Sequence, residues 1–271
     1  AYALATAQNR MMVDFCSVDR RFLPTGYVPL ADFAKTRRVA EEAIALGCKA
    51  LMIPSRCPKG HSPSHVGYDP LWALAQEAGL PIVFHVGGEE KMNPVYKVNG
   101  GPPVPDFHGG DDNFTSVSYM PIPSAVMQTL ATLIFDGVFD RFPQLKWGAI
   151  ELGAAWVPGW MRAMDSAAHA FMRNETRLQK LSAKPSEIVQ RQLRVTPYPH
   201  EDAGWIVANA GDQVALFSSD YPHVEGGRAP LKRDFPAAVG ANDVGGGFDT
   251  SEVRTPGFAE AEAIARNALR R

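Results

Sequence analysis

The stretch Pro81-Ile82-Val83-Phe84-His85-Val86-Gly87-Gly88 reads as an apolar strand with an imidazole at its carboxyl end. The consecutive apolar residues Ile82, Val83 and Phe84 break the alternation expected of a sheet with one wet face, and instead suit a parallel strand covered on both sides. A second run, Val214-Ala215-Leu216-Phe217, has the same character. Outward from these two, short β-rich runs at 22–28, 50–53, 81–86, 145–151, 193–196 and 214–219 alternate with longer helical patterns. Phe33, Val39, Ala43 and Ile44 fall near one face of a helix over 33–46, and Trp156, Trp160 and Met164 recur at helical spacing.

Strict β-then-α order selects a closed barrel or an open doubly wound sheet. The chain has no GxGxxG and no P-loop at any strand-to-helix turn, and polar residues mark several different strand ends, as barrel enzymes require. The expected fold is therefore an α/β (β/α)8 TIM-type barrel occupying residues 1–271 as a single domain. Six strands are legible where a barrel needs eight. The chain opens without Met, in residues that resemble the middle of a helix, so the amino-terminal strand region is expected to be absent from this sequence.

At 271 residues and 45% hydrophobic content the chain carries enough apolar material for one large core. A formal net charge of −2 and a pI near 6.4 leave no basic excess to neutralise a phosphate backbone, so nucleic acid is not an expected partner. No run approaches the roughly 20 apolar residues that cross a bilayer; the greasiest window, 125–138, is interrupted by Gln128, Thr129, Thr132 and Asp136. No membrane association is expected. The odd set Cys16, Cys48 and Cys57 in a chain of this size points to a reducing cytoplasm rather than a disulfide framework. A homo-oligomeric state enters as an expectation through Trp156 and Trp160, which serve an interface if they are not core.

Two segments leave the β/α rhythm. Residues 87–119, rich in Gly, Pro and Asp, directly follow the His85 strand and read as a lid over the catalytic end. Residues 224–256, with Gly245, Gly246 and Gly247, form the second irregular region.

Three strand ends carry candidate chemistry. His85 can bind a metal or move a proton, against the alternative of a hydrogen-bonded core histidine. Glu151 ends the apolar strand Leu145-Lys146-Trp147-Gly148-Ala149-Ile150. A carboxylate there needs a cation, a donor or an unusual pKa, and the plain alternative is a salt bridge with an arginine such as Arg162. Asp220 and His223 follow the last strand in Ser218-Ser219-Asp220-Tyr221-Pro222-His223. An Asp so placed can bind a divalent ion and accept a proton from water, against the alternative of a turn or helix cap. Lower in rank stand His61 and His65 with Cys57, read as a surface loop rather than a zinc cluster; His108 on the lid; His200, which either reaches the site or caps the helix of 201–210; and His169, read as structural.

These residues resemble a known family. Pro81-Ile82-Val83-Phe84-His85, the run from Asp140 through Arg141, Phe142, Pro143, Gln144 and Leu145 to Glu151-Leu152-Gly153, and Ser219-Asp220-Tyr221-Pro222-His223 are similar to the amidohydrolase-related branch that includes aminocarboxymuconate semialdehyde decarboxylase and aromatic acid decarboxylases. The resemblance extends to Tyr27-Val28-Pro29-Leu30 and Glu42-Ala43-Ile44-Ala45-Leu46-Gly47. It implies a metal-dependent barrel in which His85 and Asp220 bind the ion. Characterised decarboxylases of the branch commonly hold a His where this chain has Glu151, and members open with a His-x-His or Asp-x-His strand that residues 1–30 do not contain.

The expected function is thus metal-dependent hydrolysis of a small organic amide, ester or thioester. The metal ligands are His85, Glu151 and Asp220, the catalytic residues Asp220 and His223, and the cofactor a divalent metal, zinc first with iron or manganese as alternatives. The first alternative is a non-oxidative carboxy-lyase acting on an aromatic or unsaturated acid, and the second is a barrel subunit without catalysis. The partner is a small-molecule substrate, which Phe107, Phe114 and Tyr119 of the lid suggest is partly apolar.

Overall fold

Apolar β-branched runs interleaved with amphipathic helices fold as their periodicities dictate. The computed structural model describes residues 1–87, 93–105 and 115–218. Within them, α1 (Tyr2–Cys16) leads into β1 (Thr25–Tyr27), α2 (Phe33–Leu46), β2 (Ala50–Met52), α3 (Asp69–Glu77) and β3 (Ile82–His85). There follow α4 (Ser116–Tyr119), α5 (Ser124–Phe135), α6 (Val138–Arg141), β4 (Trp147–Ile150), α7 (Val157–Phe171), α8 (Thr176–Gln179), α9 (Pro185–Gln192), β5 (Leu193–Val195) and α10 (Ala203–Ala210).

The five strands form one parallel sheet in sequence order, β1-β2-β3-β4-β5, which puts every carboxyl end on the same side. The run expected at 214–219 appears, among the described residues, as a single parallel bridge from Ala215 to Val195 beyond β5. The strand expected at 22–28 is regular only over Thr25–Tyr27. Consecutive parallel strands linked by helices on the outside are the arrangement of a β/α barrel.

The helices start and stop where local chemistry directs. Asp32 caps α2 by accepting the Lys35 N–H, and Gly47, at φ 99°, ends it in a left-handed turn that closes onto the Ala43 and Ile44 carbonyls. Val39, Ala40 and Ala43 turn inward, and Gly26 on β1 lets this helix approach closely: a Cβ there would lie 3.0 Å from Ala43 Cβ and from Cys48 Sγ. At the outer side of β1, the buried Asn9 of α1 donates to the Tyr27 carbonyl (3.1 Å) and accepts the Tyr27 N–H (2.7 Å). A single side-chain amide thereby satisfies backbone groups as a neighbouring strand would.

The core is aromatic at its centre. Trp147 of β4 stacks on Phe139 at 4.8 Å and on Phe84 at 6.2 Å, with Trp72 at 5.1 Å. Trp160, Met161 and Met164 of α7 are buried in the same cluster, and Trp156 packs edge-on against Trp160. The indoles therefore serve the interior, which removes the argument that this helix presents them to an interface. Among the described residues no helix is long and apolar enough to cross a membrane.

Candidate active site

The register of β3 on β4 pairs His85 with Ile150, so Glu151 lies one residue beyond that pair, at the carboxyl end of the adjacent strand. Its carboxylate Oε2 stands 2.8 Å from His85 Nε2. The expected alternative partner, Arg162, is not the one the fold supplies. The imidazole is 43% exposed and the carboxylate 21%, so the pair is open to a ligand rather than sealed in the core.

Each member is held from behind. His85 Nδ1 lies 2.9 Å from the Val86 carbonyl, which directs Nε2 toward Glu151. The His85 carbonyl accepts from Ser55 Oγ at 2.6 Å, and the Ser55 carbonyl in turn accepts from Thr129 Oγ1 of α5 at 2.7 Å. Both hydroxyl residues are buried, so the end of β3 is tied to the segment after β2 and to a helix by bonds shielded from water.

Glu151 is the one non-glycine residue with positive φ among those described, at 55°. A side chain in that region costs about 1–2 kcal/mol. Its N–H donates to Thr196 Oγ1 (3.1 Å), and its carbonyl accepts from Tyr198 Oη (2.8 Å), both at the end of β5. A shallow cleft is lined by Glu151, Thr196, Pro197, Tyr198, Pro199 and Ser218. At its edge Tyr198 stacks on His200 (5.4 Å, 10°), and Tyr119 Oη lies 3.1 Å from His200 Nε2. Burial, with the Glu201 carboxylate nearby, pushes the Tyr119 phenol up to about 12.

Of the residues singled out from the sequence, His85 and Glu151 come together. His200 and Tyr119 join at the rim of the cleft, and the cap of α10 is Asp202 rather than His200. Asp220, His223, His108, Phe107 and Phe114 lie outside the described residues, as do much of 87–119 and all of 224–256. His61 and His65 pack around Phe33 at the surface, at 4.6 and 4.7 Å between ring centres, and His169 is exposed on α7. Sequence reasoning missed Ser55, Thr196, Tyr198 and Glu201. Their types are ordinary, and only their place at neighbouring strand ends marks them.

With this geometry in view, comparison with known proteins is decisive on one point: the family model described as amidohydrolase matches residues 2–254. The chain belongs to the amidohydrolase family. Among solved structures, this amidohydrolase is similar to an amidohydrolase of Mycobacterium avium subsp. paratuberculosis K-10, with 25% identity, 83% of this chain and 55% of that one covered, and a TM-score of 0.66. It also resembles 5-carboxyvanillate decarboxylase LigW from Sphingomonas paucimobilis (18% identity, 98% and 71% covered, TM-score 0.65). A third is the dihydroxybenzoic acid decarboxylase of Polaromonas sp. JS666, solved with manganese and the inhibitor 2-nitroresorcinol (16% identity, 99% and 74% covered, TM-score 0.65). The chain spans about half the length of the Mycobacterium protein. No curated protein matches it. The likeness establishes the barrel fold, of which the five-stranded parallel sheet is the described part.

The amidohydrolase's own residues suit a divalent cation. A ligating histidine usually donates its other ring N–H to a carbonyl or carboxylate, and the Nδ1 contact of His85 to the Val86 carbonyl is of that kind, with Nε2 the nitrogen that would face an ion. An imidazole nitrogen and a carboxylate oxygen are compatible donors for zinc or manganese. Among the described residues no group of three or more His, Cys, Asp or Glu side chains is arranged to hold an ion.

Proposed function

We propose that this amidohydrolase is a metal-dependent hydrolase of a small organic amide, ester or thioester, with His85 and Glu151 among the ligands of a divalent cation. The observation that carries this reading is the 2.8 Å approach of His85 Nε2 to Glu151 Oε2 at the carboxyl ends of adjacent strands, the face where barrels of this class place their chemistry. A bound divalent ion polarises a carbonyl oxygen and makes water a better nucleophile at neutral pH. His85, oriented through Nδ1 and the Ser55 bond, and Glu151, held by Thr196 and Tyr198, would hold that ion. Asp220 would be the third ligand and the acceptor of a proton from water, with His223 as the second catalytic residue. Zinc is the first choice of metal, with manganese, present in the Polaromonas relative, the alternative. The partner is a small molecule. Three free thiols, one of them exposed, support a cytoplasmic setting.

A second reading, non-oxidative carboxy-lyase action on an aromatic or unsaturated acid, is favoured by the ring cluster of Tyr119, Tyr198 and His200 at the edge of the cleft and by the decarboxylases among the structural neighbours. One experiment separates the two. The chelated protein is reloaded with Zn2+ or Mn2+ and assayed on a panel of esters, amides and thioesters, with carbon dioxide release from hydroxybenzoic acids followed in parallel. Hydrolysis that disappears on chelation and in Asp220→Asn supports the first reading. Carbon dioxide release without hydrolysis transfers the assignment to the second, and full turnover by the chelated protein or by Asp220→Asn overturns the mechanism.

A further inference from the structure

The loop that follows β4 is stitched to the end of β5 by an unusual convergence of donors on one side chain. The Glu201 carboxylate accepts three backbone N–H groups: Tyr198 at 2.7 Å and Ala154 at 2.8 Å on Oε2, and Ala155 at 3.0 Å on Oε1. Ala154 and Ala155 lie just before Trp156, the N-cap of α7, so the carboxylate also sits near the positive end of a 15-residue helix, which favours an anion. Tyr198, whose N–H is one of the three, sends its hydroxyl back to the Glu151 carbonyl at 2.8 Å. Between these bonds the chain passes through Gly153 at φ 66°, where an added Cβ would lie 2.8 Å from Glu201 Oε1 and 2.9 Å from the Tyr198 ring. Loop, ring and carboxylate are packed as one body.

The one left-handed non-glycine residue of the described chain, Glu151, sits at the head of this loop and faces His85. Such a conformation persists only where its surroundings over-determine it. We infer that Glu201 and Tyr198 are positioning residues: they hold the backbone of Glu151 in its left-handed turn and so aim its carboxylate at His85 Nε2. Glu201 acts through the loop and Tyr198 through the Glu151 carbonyl. The inference deepens the proposed function, since it concerns the same carboxylate, but its first test does not depend on metal or on catalysis.

The test uses Tyr198→Phe and Glu201→Gln in the 271-residue chain. Tyr198→Phe removes one hydroxyl and keeps the ring; Glu201→Gln removes the charge and replaces one acceptor with a donor facing N–H groups. Crystal structures of the metal-free wild type and variants read the contact directly. The expected result is a Glu151 carboxylate turned away from His85 in the variants. A Mn2+ titration followed by electron paramagnetic resonance is expected to show affinity at least about tenfold weaker in each variant, the scale on which groups that orient ligands act. Asp140→Asn, on α6 ahead of the amino end of β4, is the control: it should lower the melting temperature and leave Mn2+ affinity unchanged. If both variants keep the His85–Glu151 contact, the inference falls, whatever the wild type does with Mn2+. If the contact is lost and affinity does not change, it falls as an account of the metal site. If the wild type takes up no Mn2+ while the variants lose the contact, the positioning role stands and the metal reading falls. Should Glu201→Gln not fold, Tyr198→Phe carries the test alone.

Discussion

Glu151 is the residue on which the site turns, because its backbone pays for the direction of its side chain. At φ 55° it occupies a region that glycine enters freely and that other L-residues avoid. At an ordinary strand end, replacement by glycine costs about 0.5–1 kcal/mol through added freedom of the unfolded chain. Here the release of backbone strain opposes that loss, and the partly exposed contact with His85 is worth at most about 1 kcal/mol. Glu151→Gly is therefore expected to match or exceed the wild type in urea stability while losing metal uptake. A variant destabilised by more than about 2 kcal/mol would mean that the carboxylate is structural. The same residue shows where local reading ends: a glutamate after Trp-Gly-Ala-Ile is legible as unusual, but its partner is His85 rather than Arg162, and nothing within a few residues of it encodes that choice.

Strand β4 carries two kinds of work at its two ends. Before it, Asp140 accepts from Ser182 N–H and Oγ and from Arg191, Arg141 grips Asp69, and Lys146 Nζ donates to the Arg191 carbonyl. After it come Glu151 and the loop held by Glu201. The run from Asp140 to Gly153 that carries the family resemblance thus divides into a half that ties α6 to α3, α9 and the segment before α9 and a half that presents chemistry. Between them Trp147, fully buried, stacks on Phe139 and joins Trp72 and Phe84. Trp147→Ala removes the hub of that cluster. It is expected to lower unfolding free energy by about 3–5 kcal/mol, measured by urea denaturation. A loss below about 1 kcal/mol would show that the surrounding rings close the space.

Across the molecule, two phenols report on burial in a way that sets the alkaline limit. Desolvation pushes Tyr68 and Tyr119 up to about 12 from an ordinary value of 10.0. Between these values the unfolded chain has lost protons that the folded chain still holds, so the unfolded state binds fewer protons and stability falls as pH rises. The contribution is complete below about pH 10 and is lost as pH approaches about 12. Urea midpoints measured from pH 9 to 12 should decline across that window, and the decline should be shallower in Tyr68→Phe/Tyr119→Phe. An unchanged slope in the double variant would assign alkaline loss to other groups.

Hydrophobic periodicity is local, and it sufficed for the parallel α/β architecture: Ile82, Val83 and Phe84 are continuous because one face of a barrel strand meets the outer helices and the other meets the barrel interior, and the helix expected over 33–46 is α2, bounded by Asp32 and Gly47. The strand-end position of His85 followed from the same local pattern. The partnership of His85 with Glu151, the hydroxyls of Ser55 and Thr196, and the Tyr198–Glu201 clamp did not. These contacts join residues 30 to 66 positions apart, and strand register alone brings them within hydrogen-bond distance. A Thr, a Tyr and a Glu after β5 have no distinctive spacing, so their role exists only once β4 and β5 lie side by side and their loops must satisfy one another's backbone groups.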